Sequence, residues 1–346
     1  MAYGWNAMSE GLQSTSNCFN RLVLSSPTRL ALPIATYPGL ALTGATVREA
    51  VSNPQVQFEA VAALHARYRT PFVLSAMDLS VEAETFGCTL HASDNEIPSV
   101  TGRLVTNLDQ ARRLPVPQPG DRRTAVYLET VRRLKKLPSR PLVLGGCIGP
   151  FSLAGRLVGV SEALELTLAE PDLMRVVLEK SAAFLAAYAR AFKEAGADGL
   201  IMAEPAAGLL SPRSVSAHSS AYIKGIAAAV ADGPFAVILH NCAARSLHLP
   251  AILETGLTTF HFGAPMDLPA ALGQVAPEVV LCGNLDPAGV FCQLAPAEIT
   301  ARAADLLSRT VAHRNYVLSS GCDVPVGVSL ANLDAFYAAV KGGAGM

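Results

Sequence analysis

Eight short aliphatic or β-branched runs punctuate the chain, and segments with helical spacing lie between them. The runs fall at residues 31–36, 71–76, 141–147, 199–203, 235–240, 258–262, 279–283 and 316–320. Runs this short and this continuously apolar are what a strand needs when helices cover both faces of a parallel sheet. Helical patterning is clearest at 47–67, 173–194, 215–231, 296–311 and 330–340. In 173–194, Leu173, Val176, Val177, Lys180, Phe184 and Tyr188 recur at three-and-four spacing, the mark of one buried stripe. Eight such units without a break in composition predict an α/β fold of the (β/α)₈ TIM-barrel type, with an open doubly wound sheet as the alternative. Residues 1–30 read as an N-terminal extension with a short helix, and 31–346 as a single barrel domain. The connection at 79–140, which carries LHASDNEIPSVTG and LPVPQPGD, is far longer than a barrel loop needs. Insertions of that length on compact domains are usually lids or partner surfaces.

Composition narrows the function. Of 346 residues, 51% are hydrophobic and 16% charged, with 27 Lys+Arg against 28 Asp+Glu. That balance excludes a disordered chain and a basic nucleic-acid binder. Mean hydropathy of +0.33 raises the question of a membrane span. The apolar run from Pro71 stops at Asp78 and the run from Phe235 stops at His240, so none reaches the ~18–20 residues a spanning helix needs. The first residues show no basic segment followed by an apolar one, so no signal peptide is read and the expected location is the cytoplasm. Seven cysteines, an odd number in a chain this size, are not a disulfide framework; they are packing residues, metal ligands or nucleophiles.

In a barrel, catalytic groups emerge at the C-terminal ends of the strands. His240 and Cys242 are two apart at such an end, so their side chains point to the same side, and Cys322 sits at the end of the last run. One imidazole and two thiolates form a soft N/S set that suits Zn²⁺, and three protein ligands leave a fourth position open for substrate. The competing reading is packing: cysteines serve as small buried hydrophobes, and a core histidine can be satisfied by hydrogen bonds. Glu204 ends the apolar run GLIMA and is the candidate catalytic carboxylate. It could orient a metal ligand, polarise substrate, or cap the following segment through backbone N–H groups. Asp78, Glu82 and Glu84 form an acidic cluster for which solvation on a long loop is an equally good account. The turn Gly145-Gly146-Cys147-Ile148-Gly149-Pro150 lacks the Lys-Ser/Thr of a P-loop and the G-x-G-x-x-G spacing, and no G-x-S-x-G elbow is present. Cys147 and Cys282 fall inside apolar runs, while Cys18, Cys88 and Cys292 lie away from strand ends. His65, His91, His218, His248, His261 and His313 show no paired ligand spacing and default to packing or surface roles.

The order of GGCIGPFSLAGRL, MAEPAAGLLSP, LHNCA, CGNLDP and SSGCDVP resembles the uroporphyrinogen decarboxylase superfamily. More narrowly it is similar to the corrinoid-dependent branch of methylcobamide:coenzyme M methyltransferase type. The resemblance runs from about residue 30 to 341, and its specific part is the His-x-Cys with a distal Gly-Cys. It implies a TIM barrel with zinc on His240, Cys242 and Cys322. It also implies methyl transfer between a corrinoid carried by a partner protein and a small thiol acceptor or methylated donor. Two positions depart from the pattern. The first run, LALPIATYPGL, has no arginine between Arg29 and Arg48, where the decarboxylases carry an Arg-rich motif for substrate carboxylates. After the sixth run, Gly263 and Ala264 stand where the coenzyme M enzymes tend to place an acidic residue. A tetrapyrrole decarboxylase and a non-catalytic zinc- or corrinoid-binding barrel are the alternative functions.

Overall fold

Side-chain parity along the strands sets the architecture. The structure is a computed structural model and describes residues 16–342; residues 1–15 of the expected N-terminal extension lie outside the described residues. In chain order the strands are β1 (Phe72–Leu74), β2 (Thr89–His91), β3 (Ser99–Thr101), β4 (Leu142–Ile148) and β5 (Gly199–Ala203). They continue with β6 (Ala236–Asn241), β7 (Thr259–Phe262), β8 (Val280–Leu285) and β9 (Tyr316–Ser320). Seven form one parallel sheet in the order β1-β4-β5-β6-β7-β8-β9, while β2 and β3 pair as a separate antiparallel hairpin. Along β5, Leu200 and Met202 join the cluster under the helices, while Ile201 and Ala203 join a second cluster on the inner face. On β6, Val237 and Leu239 face the helices and Ala236 and Ile238 face inward, which leaves His240 as the next inward position.

The sheet curls until both edges approach residues 31–36. On the β9 side, Leu32 N–H donates to the Leu318 carbonyl at 2.9 Å and Leu318 N–H to that of Leu30 at 3.1 Å. On the β1 side, Thr36 Oγ1 reaches the Ser75 carbonyl at 3.5 Å. The expected strand at 31–36 is therefore a single bridge, Ala31 to Leu318, rather than a ladder. Toward β9 the next ladder groups are taken by side chains, the Ile34 N–H by Ser320 Oγ and the Leu32 carbonyl by the Ser319 hydroxyl, and Pro33 between them has no N–H to offer on the other side.

Proline also divides the expected helix at 47–67. Val47–Ser52, opened by a Thr46–Glu49 capping box, ends before Pro54, and Pro54–Tyr68 restarts from an Asn53 cap. The helix Pro171–Glu194 buries the expected stripe at Leu173, Val177, Phe184 and Tyr188, with Val176 and Lys180 at its edge. At the opposite end of the sheet from His240, the helix Cys18–Ser25 inserts Phe19 against Phe72, ring centroids 4.7 Å apart, and closes that mouth. Asn20 fixes it there by donating to the carbonyls of Thr258 and Glu278, at 2.9 and 3.0 Å.

Residues 79–140 are not a bare loop. They hold the helices Val81–Phe86, Leu108–Arg113 and Thr124–Leu134 around the β2–β3 hairpin. A buried ion network pins them. Arg123 bonds to Asp78, to Glu84 at 2.6 Å and to Ser80 at 2.8 Å. The acidic cluster is thus not solvated surface: Asp78 and Glu82 are buried, and Arg123, 45 residues beyond Asp78, answers its charge. Removing one partner of such a buried pair typically costs ~3–5 kcal/mol, so the insertion is held firmly against the strand ends. Among the described residues, no helix is long and apolar enough to cross a membrane.

Candidate metal centre

His240, Cys242 and Cys322 converge. Their ligand atoms all lie within 4.8 Å of one another, at the C-terminal ends of β6 and β9. Inward parity brings His240 and Cys242 to the same side, and the turn Gly321-Cys322 returns the second sulfur to them. His240 is 2% exposed and, among the described residues, its Nε2 has no hydrogen-bond partner, an orphaned ring nitrogen beside two sulfurs. Its Nδ1 is engaged 2.8 Å from His261 Nδ1. The two thiols share one proton unequally, so that ionisation is favoured at Cys242 and opposed at Cys322. The hydrogen bond between them draws Cys242 down from its ordinary value, and the same contact, with burial, pushes Cys322 up to about 12. A divalent cation would satisfy all three groups at once, so the donor set fits zinc.

A cavity of about 260 Å³ opens over these residues. Met77 and Leu79 from beyond β1 form one wall, and Ile97 and Val100 of the hairpin another, so the insertion shapes the chamber. Its polar lining includes Arg156 and Asp323. Burial lowers the pKa of Arg156, and among the described residues it forms no ion pair. Asp323 follows Cys322 directly, and one of its carboxyl oxygens is buried without a hydrogen bond among the described residues.

Glu204 lies just beyond β5 but does not reach the cavity lining. One oxygen accepts from Phe151 N–H at 2.7 Å and Ser219 Oγ at 3.0 Å, the other from Ser152 N–H at 2.9 Å. Its side chain does not cap the segment that follows it; the contacts are those of a cap at the N-terminus of an earlier helix, Pro150–Val158. Gly149 makes this approach possible, because a Cβ there would overlap the Glu204 carboxylate. Burial raises the Glu204 pKa to about 7, partly offset by the bonds from Ser152 and Phe151.

His261, given a packing or surface role by the sequence, is a buried residue in hydrogen-bond contact with His240. It is fully buried opposite His240 in the β6–β7 register, and burial with the neighbouring imidazole pushes its pKa well below the ordinary histidine value. Parity carried the signal: Phe260 and Phe262 face the helices, so the residue between them faces the sheet interior. His248, by contrast, is structural, held between Arg245 N–H and the Leu210 carbonyl. Gly263 stands where an acidic residue was looked for because a Cβ there would collide with the Cys242 backbone.

Residues 36–343 match the profile of the uroporphyrinogen decarboxylase (URO-D) family, and the chain belongs to that family. Among its relatives, a methylcobamide:CoM methyltransferase, MtbA, of Methanosarcina mazei is 30% identical over 290 residues, covering 83% of this chain and 80% of that protein. A uroporphyrinogen decarboxylase of Ectopseudomonas mendocina is 26% identical over 301 residues, 84% of each chain. A solved structure of a methyltransferase from Methanosarcina mazei superposes with a TM-score of 0.80 at 24% identity, over 96% of this chain and 95% of that one, which shows the shared fold.

Proposed function

We propose that the protein is a corrinoid-dependent methyltransferase, moving a methyl group between a corrinoid protein and a small thiol acceptor or methylated donor at a zinc ion held by His240, Cys242 and Cys322. The observation that carries this reading is the orphaned His240 Nε2 facing two thiols at the floor of a cavity. The methyltransferase relatives support it. We read residues 31–36 as the eighth stave that closes the sheet into a (β/α)₈ barrel, whose C-terminal rim is where such a site belongs.

Held by His240, Cys242 and Cys322, zinc would supply Lewis acidity, to acidify a thiol or polarise a methylated donor. The chain's own residues do the rest. Cys242 and Cys322 bring the negative charge, and His240 a neutral donor. Met77, Ile97 and Val100 keep water from the floor of the chamber. Arg156, a cation without an ion-pair partner, meets an anionic group on the small ligand. Glu204 is a positioning residue, holding the helix that carries Arg156. The corrinoid partner docks over the strand ends beside the β2–β3 hairpin, in a cytoplasmic setting. Decarboxylation of a tetrapyrrole fits less well, because a substrate with several carboxylates needs several cations, and among the described residues Arg156 is the one Arg or Lys in the cavity lining.

The test is spectrophotometry of the zinc-loaded protein with a methylated corrinoid protein and a panel of thiols, then with the demethylated corrinoid and methoxy or methylthio compounds. A change in the cobalt absorbance with at least one thiol or donor is expected. No change with any of them overturns the reading.

A further inference from the structure

We propose that His261 is a positioning residue that sets the tautomer of His240, so that an unprotonated Nε2 faces Cys242 and Cys322. The proposal rests on the zinc reading for its consequence but not for its geometry. Three strands contribute to a buried relay. His240 Nδ1 lies 2.8 Å from His261 Nδ1, and His261 Nε2 lies 2.7 Å from Ser319 Oγ. Ser319 Oγ is in turn hydrogen-bonded to the Leu32 carbonyl. All three side chains are buried, with His261 and Ser319 at 0% exposure.

The direction of the relay follows from its far end. A backbone carbonyl can only accept, so the single Ser319 hydroxyl proton goes to Leu32. The Ser319 oxygen must then accept, which places a proton on His261 Nε2. Neutral imidazole carries one N–H, so His261 Nδ1 is left with a lone pair. That lone pair can only accept, and His240 Nδ1 therefore donates. His240 carries its proton there, and Nε2 is bare. The reverse assignment would leave His261 Nε2 and the Ser319 oxygen facing each other with no proton between them, a buried repulsion. The edge-on packing of the two rings, 75° between planes, brings the two Nδ1 atoms together.

Metal-bound histidines commonly donate the other ring N–H to a fixed acceptor, which orients the ring and raises its basicity. Here the acceptor is a second imidazole, whose own tautomer is fixed by a hydroxyl and a main-chain carbonyl. Segment 30–36 thereby reaches the centre through Leu32, although it contributes no ligand.

Three variants test this. In His261→Asn the side-chain oxygen takes the place of Nδ1 and can still accept. His261→Leu cannot accept, and Ser319→Ala removes the group that fixes the His261 tautomer. The first readout is the pair of ¹⁵N ring shifts of His240 in the metal-free protein, assigned by their loss in His240→Gln. The second is zinc affinity by chelator competition. Wild type should show His240 protonated at Nδ1 and bare at Nε2. His261→Leu and Ser319→Ala should lose that preference and bind zinc about 10- to 100-fold more weakly, while His261→Asn stays close to wild type. If His261→Leu does not fold, Ser319→Ala, which deletes a single oxygen, decides the matter. A wild-type His240 protonated at Nε2, or unchanged tautomer and affinity in the foldable variants, overturns the assignment. A wild type with the expected tautomer that binds no zinc would instead count against the metal reading and leave the relay standing.

Discussion

Replacing Cys322 with serine separates a metal thiolate from a packing thiol. Cys322 is partly exposed, and Cys→Ser changes one atom for a slightly smaller one. A packing role predicts a stability change within about 1 kcal/mol and full activity. A ligand role predicts much more. The hydroxyl is a poor zinc donor and stays neutral, so the centre keeps His240 and Cys242 but loses half its negative charge. The loss of affinity should exceed the ~10- to 100-fold typical for an outer-shell partner. Zinc at 100 times its dissociation constant stabilises the wild type by about 2.7 kcal/mol. At ~2.1 cal/mol/K of unfolding entropy per residue, 346 residues convert that into a rise in Tm of about 4 °C. The variant should purify folded, because the two apolar clusters do not depend on the metal. It should carry little zinc by elemental analysis and show no such rise. Stoichiometric zinc with an undiminished thermal shift in Cys322→Ser would refute the ligand assignment.

Glu82 is buried, with one oxygen accepting from Ile148 N–H and the other without a partner, and burial lifts its pKa to about 8. A carboxyl raised that far above its unfolded value of ~4.3 favours the fold fully below pH ~4.3, and that contribution is lost as pH rises toward 8. Glu82→Gln should therefore raise Tm relative to wild type at pH 8 but not at pH 5, and parallel melting profiles across that range would remove the argument. Arg156→Gln should raise KM several-fold for anionic thiols and leave neutral thiols unaffected. Glu204→Gln, which turns an amide NH₂ toward a helix N–H, should shift the same parameter while zinc content holds; equal effects on charged and neutral thiols would show that Arg156 does not read the anion.

Strands β4 to β9 were legible because both faces of each are buried, so the apolar runs need no alternation to be recognised. Residues 31–36 were legible as a run but form no ladder. Their pairing is cut short where serine hydroxyls take the Ile34 N–H and the Leu32 carbonyl, and hydrophobicity says nothing about those. The insertion failed as a reading for a different reason. Its strands are three residues long and two of its helices six, too short for either period to declare itself. The charge pairing that locates it joins Asp78 to Arg123 across 45 residues, and nothing local reports such a contact.

The centre divides along the same line. His240 and Cys242 are related by strand parity, a local rule, and Cys322 by its place at a strand end; all three could be named from the chain alone. His261 is related to His240 by register, which strand pairing fixes and sequence spacing does not. Parity still left a trace. A strand whose neighbours at 260 and 262 are buried phenylalanines facing the helices has no reason to place an imidazole inward unless something there accepts or donates to it. Combined with the inward parity of His240 on β6, that polar intrusion at His261 on β7 marks the two imidazoles as a pair. The general step is to compare inward polar residues on neighbouring strands with one another, because a metal ligand in an apolar interior needs a partner for its second nitrogen.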